Sequence, residues 1–210
     1  MKPKTKQLLG YGMVLVVFCA IALLYMWKPG ISMQNEQEID AKLKQQIGSA
    51  LDPQARITYI HLDGFGASRK FRYAIISYLL PADDQSYTMS LYVDGTGGSF
   101  EPSAHARHDK TAYEDGLLLS EMDFSVVAAN TRRIRDRFVE EGKEWMGVAE
   151  YSIRLDPETR DFVHETKVYY EVGPNLLKWI AEYYLGVAPN EFAVYSIPQN
   201  GTGELDRQAN

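Results

Sequence analysis

His105 and His108 stand three residues apart, with Asp109 directly after, and they come closest in this 210-residue chain to a metal-ligand pattern. Two imidazoles at that spacing reach one ion when the segment is helical. A carboxylate would then complete a centre that activates water for hydrolysis. Arg107 sits between the histidines and opposes a cation there. The glutamate of an HExxH helix is missing and no second ligand cluster is present, so the same residues also read as solvated side chains on a loop. His61 and His164 fall in strand-like runs. His164 alternates with Phe162, Thr166 and Val168, which aims its ring at the core side of a sheet. With no GxSxG turn to present a serine, Ser-His-Asp chemistry has no sequence support. Asp94-Gly95-Thr96-Gly97-Gly98-Ser99 lacks both the following helix and the lysine that a phosphate loop needs, and reads as a turn. Nothing in the sequence calls for a cofactor.

Two sets of residues suit recognition rather than catalysis. Arg132, Arg133, Arg135 and Arg137 crowd one helical stretch. They form either a docking patch, with Arg132 and Arg135 foremost, for an acidic partner or anionic headgroups, or a set of local ion pairs. Arg132 with Asp136 and Arg137 with Glu141 have the i, i+4 spacing for the latter. Twelve tyrosines lie beyond Tyr25, many in strand-like runs. A tyrosine buries a ring yet keeps a polar tip, which suits a sheet face that meets a partner, though plain strand propensity also enriches it. Tyr87, Tyr92, Tyr169 and Tyr170 are the binding candidates. Tyr169 and Tyr170 are adjacent and must point to opposite faces.

The elements that position these residues are legible from periodicity. Asn35 with Glu38 resembles a capping box. Ile39, Leu43, Ile47 and Ala50 then recur at helical spacing until Pro53. Three strands are expected at residues 56–62, 71–80 and 86–93, joined by turns at Asp63-Gly64-Phe65-Gly66 and Pro81-Ala82-Asp83-Asp84. Residues 94–121 have no regular pattern. A second helix is expected from Asp123 to Gly142, burying Phe124, Val127, Thr131, Ile134 and Phe138. A hairpin follows at 145–155 and 161–172. A third helix opens at Pro174 and closes at Gly186, and a last strand runs over 192–197. The order of one helix followed by strands occurs twice, without a residue-level repeat. The fold class is α+β, an antiparallel sheet with helices mainly on one face.

Leu8 to Trp27 contains no charged residue, and twenty helical residues span roughly 30 Å, the thickness of a bilayer core. Lys2, Lys4 and Lys6 precede it, which predicts a cytosolic N-terminus and a domain outside the inner membrane. The run exceeds a typical signal-peptide core, which favours an uncleaved anchor over a cleaved leader. Phe18 stands where a lipobox ahead of Cys19 needs a small residue. Cys19 is the only cysteine, so the domain has no disulfide or thiolate chemistry. Setting the three lysines aside leaves 19 basic residues against 28 acidic ones, a formal charge of −9 beyond the span. Such a domain is repelled by nucleic acid.

The organisation read from the sequence is therefore residues 1–7 cytosolic, 8–27 a transmembrane anchor, 28–37 a linker, 38–198 a periplasmic domain and 199–210 a disordered tail. The functional expectation is a single-pass inner-membrane protein with a non-enzymatic binding domain. Its partner is a protein of the cell envelope, as for an assembly factor or a toxin inhibitor or immunity protein. The alternatives are a metal-assisted hydrolase using His105, His108 and Asp109, and a small-ligand sensor or carrier.

Overall fold

The computed structural model describes residues 30–33, 35–68, 70–81, 83, 85–93, 98–106, 112–171 and 192–208, with Val16 alone before them. The expected anchor (apart from Val16), the glycine-rich turn at 94–97, His108, Asp109 and the third helix lie outside the described residues. No described helix is long and apolar enough to cross a membrane.

The fold is α+β, a large antiparallel sheet with two helices. In chain order the elements are β1 (Ile31–Ser32), α1 (Glu36–Gly48), β2 (Arg56–Ser68), β3 (Lys70–Phe71), β4 (Tyr73–Leu79), β5 (Gln85–Tyr92), β6 (Ser103–Ala106), β7 (Leu117–Leu118), α2 (Ser125–Glu140), β8 (Glu144–Leu155), β9 (Phe162–Glu171), β10 (Phe192–Ile197) and β11 (Asp206–Arg207). The main sheet runs β11-β10-β9-β8-β2-β4-β5-β6, with β7 added beside β2 and a separate ribbon of β1 and β3. Long β2 and β8 meet at its centre. Each begins an antiparallel run of four strands outward, so the two helix-then-strands units are placed back to back.

Helix α1 starts where its cap dictates. Asn35 Oδ1 accepts from the Glu38 backbone N–H at 3.2 Å, and the Asn35 amide returns to Glu38. Ile39, Leu43 and Ile47 are its fully buried stripe. Helix α2 begins two residues later than Asp123 suggested. Asp123 Oδ1 accepts from Ser125 N, while the free N–H of Phe124 is taken by Asp40 Oδ1 of α1 at 2.9 Å, a cap donated by the neighbouring helix. The stripe expected for α2 is buried as read, and Gly142 takes the left-handed conformation that ends it (φ 69°). Both helices share one hydrophobic core with one face of the sheet.

Three boundaries differ from expectation. Within the expected linker, residues 31–33 are not free chain. Ile31 and Met33 are 2% and 1% exposed, and Ile31 pairs with Phe71, so apolar side chains two apart draw this segment into the core. Residues 103–106, read as irregular, form strand β6 on the edge of β5. Residues 199–208 are not disordered. They turn back so that Ser196 pairs with Asp206 and Tyr195 with Arg207, and Gly201 and Gly203 are buried.

Candidate functional site

One face of the sheet lies away from α1 and α2, the two helices among the described residues, and its register sets out what that face presents. One row across it reads Val163, Arg154, Tyr59, Ser77, Thr88. The next reads Ser196, Glu165, Ser152, His61, Ile75, Ser90. At the centre Tyr59 and His61 are half-buried and stack nearly parallel, centroids 6.4 Å apart. Desolvation by burial, reinforced by Glu150 and Glu165, raises the Tyr59 phenol above its ordinary range, with Arg154 acting in the opposite direction. Tyr59 therefore carries a neutral hydroxyl among charges of both signs. Lys167 lies 4.0 Å from Glu150 in the third row.

The tyrosines singled out from the sequence divide between the two faces. Tyr92 is on the face away from α1 and α2, edge-on to Tyr73 at 5.5 Å and near Phe100. Tyr169 is on that face too but only 8% exposed, with Lys167 over its ring, and burial raises its phenol. Tyr170, its neighbour, faces α2 and stacks on Phe138 at 4.8 Å. Tyr87 packs against the core, stacks on Tyr78 at 5.6 Å and donates its hydroxyl to Asp83 at 2.6 Å. A lone strand run gives the alternation but not which side the helices take; Tyr170 lies in the core and Tyr87 is half-buried against it.

The arginines of α2 are paired. Arg132 crosses to Glu36 of α1 at 2.9 Å rather than to Asp136. Arg135 binds Asp136, and Arg137 reaches Glu141 at 3.4 Å as its spacing suggested. A fixed ion pair between helices competes with any docking role at Arg132. His105 lies in exposed β6 opposite Ser86, in a strand rather than a helix. Among the described residues no group of three or more His, Cys, Asp or Glu side chains is placed to hold a metal.

The most constrained polar cluster lies on the helix side and was not foreseen. Asn130 of α2 donates from Nδ2 to the Tyr151 hydroxyl at 3.0 Å and to the Gly201 carbonyl at 2.9 Å. Its Oδ1 accepts from Arg133 at 3.0 Å, and Arg133 also donates to the Gly203 carbonyl at 3.1 Å. Tyr151 Oη lies 2.9 Å from Nδ1 of His164 on β9. His164 is 4% exposed, and burial lowers its pKa to about 4, so the ring is neutral at ordinary pH. Burial raises the Tyr151 phenol strongly, outweighing the hydrogen bond from Asn130. The alternation around His164 predicted its inward ring. Its partners sit 13 residues away on β8, 34 back on α2 and in the tail, and no local pattern announces them.

Comparison with family models, with curated proteins and with solved structures finds no match for this chain.

Proposed function

We propose that this chain is a non-enzymatic binding module of the cell envelope. Residues 8–27 anchor it in the inner membrane, and its folded domain outside engages a protein partner across the face of the sheet away from α1 and α2. The observation behind this reading is the patch at the centre of that face. There the stacked, half-buried Tyr59 and His61 are surrounded by Arg154, Lys167, Glu150 and Glu165. Aromatic side chains with polar tips supply contact area, and charges of both signs around them set orientation. A surface for nucleic acid or anionic lipid would carry an excess of cations, and this one does not. The tether also narrows the choice of partner. Ile31 is held in the fold, and three residues separate it from Trp27, a reach of at most about 13 Å over the intervening bonds. The domain on this reading works close to the bilayer surface, against a partner that is itself membrane-bound or membrane-proximal.

Crosslinking and affinity capture of the full chain from native membranes tests the reading. The double reversal Arg154→Glu with Lys167→Glu changes charge without touching the core, and should abolish partner capture at unchanged melting temperature. Arg132→Glu with Arg135→Glu on the helix side should leave capture intact. The reverse pattern moves the interface to the helices and defeats the proposal. A reporter active only outside the cytosol, fused after Asn210, should be active. Activity of a cytosol-only reporter there would invert the topology.

A further inference from the structure

Residues 198–208 are held by the second half of the domain through hydrogen bonds at Gly201 and Gly203, the short β10–β11 ladder and Leu205 packed on the core. We propose that this C-terminal segment is a clasp that opens when His164 takes up a proton.

The hydrogen-bond directions make the argument. Both hydrogens of the Asn130 amide are committed, one to the Tyr151 oxygen and one to the Gly201 carbonyl. The Tyr151 oxygen accepts from Asn130 and lies 2.9 Å from His164 Nδ1, a contact whose direction depends on the imidazole tautomer. A second proton on the ring makes both ring nitrogens donors, so Nδ1 can no longer accept from the Tyr151 hydroxyl, and it places a charge in a desolvated site. The tail closes the space on the ring's side. Gly201, at φ 78°, lies so near the imidazole that a Cβ would fall 2.7–2.8 Å from Nδ1, Cε1 and Cγ. Movement of the ring has to displace the Gln199–Gly203 turn.

That turn is held by Asn130 and Arg133 from α2, and by Asn200 Oδ1, which accepts from the Phe162 backbone. Among the described residues the groups facing His164 offer no carboxylate to stabilise an imidazolium. On β8 it meets Tyr151, on β10 Ile197 is its register partner, and on the tail Gly201 covers it. The charge reaching the network from α2 is the Arg133 guanidinium, a second cation. A charged ring is therefore stable only with the tail lifted and water admitted. Burial sets the closed-state pKa at about 4, against 6.5 for a solvated ring. The closed state prefers the neutral ring, so closure is complete above pH 6.5. The open fraction rises about tenfold per pH unit as pH falls to about 4, then levels, a total of about 300-fold.

Hydrogen–deuterium exchange of the full chain in mild detergent, corrected for intrinsic rates and run from pH 8 to pH 4, tests this. Peptides covering 198–208 should lose protection about 300-fold while those from β2 and β4 keep theirs. In His164→Gln tail protection should be independent of pH, and in Gly201→Ala the tail should be unprotected throughout. Histidine-labelled NMR of the unsubstituted chain gives a second reading that needs no variant. Three outcomes overturn the clasp. One is a His164 ring that titrates near 6.5 while the tail stays protected. Another is a tail that loses protection only together with β2 and β4. The last is an unchanged pH dependence in His164→Gln.

Discussion

The two halves of the domain share a plan and differ in what they bury. In the first, α1 lays Ile39, Leu43 and Ile47 on the sheet, and the rows beneath read Ile60, Ile76, Met89 and Leu62, Ala74, Leu91. In the second, α2 lays Asn130, Ile134 and Phe138 at the same i, i+4, i+8 spacing, over Ile153, His164, Ile197 and Tyr151, Thr166, Tyr195. Among the described residues the buried polar ones, Asn130, Thr131, His164 and Thr166, all belong to the second half. Each has a partner. Thr131 donates to the Val127 carbonyl and Thr166 to the Glu150 carbonyl. An apolar row stabilises wherever it is covered, without regard to direction. A buried amide, phenol and imidazole stabilise only with their particular partners in place, because a lost partner leaves a desolvated group behind. The polar half thus selects one segment, the tail, to cover it.

The largest effect that would sharpen this contrast is at the shared last position of the helix stripes. Phe138→Ala should cost about 3–5 kcal/mol and Ile47→Ala about 2–5 kcal/mol in urea denaturation, each in a single transition, since β2 and β8 are joined along the sheet. Two separated transitions would mean that the halves fold independently. Next comes Asn130→Leu, which gives α2 the apolar stripe of α1. It removes the Asn130 bond from Tyr151, Arg133 and the Gly201 carbonyl, and should destabilise by about 2–3 kcal/mol with loss of tail protection. A gain in stability would break the comparison, because it would show that the second half tolerates an apolar row as well as the first. Tyr151→Phe keeps the ring and removes the bridge between Asn130 and His164, and should cost about 1–2 kcal/mol by the same measurement. Smallest is Arg132→Ala. Its ion pair with Glu36 ties the helices of the two halves together, but both side chains are well exposed, so the loss should be about 0.5 kcal/mol or less and should shrink further in salt.

How much of this was legible follows from the range of each interaction. The cap at Asn35, the stripes of both helices, the inward turn of His164 and the 145–155/161–172 hairpin depend on neighbours within a turn or a strand, and the sequence carries them. Strand β6 was missed because Ser103-Ala104-His105-Ala106 has no alternation of its own and pairs only because the β5 edge is there to receive it. Ile31 and Met33 were passed over because a four-residue apolar alternation beside a polar stretch is too short to read as an element. The 199–210 segment was read as disordered from its polarity, yet Asn200 and Gly201 are there for a left-handed turn and a close approach to a ring. An asparagine in the middle of an otherwise apolar helix stripe was the available signal, and it named no partner.

By itself the sequence determined the α+β class, the order of the two described helices and the longer strands, which side of each of those helices is buried and an acidic domain without cysteine chemistry. Those follow from period, composition and local capping, all of which act over a few residues. Only the tertiary structure decided that β2 and β8 meet at the centre, that Tyr170 and Tyr87 face the helices, that Arg132 pairs across to α1, and that the tail closes over His164. Each of these depends on contacts between residues tens of positions apart, and chain distance at that scale leaves no mark in the local pattern.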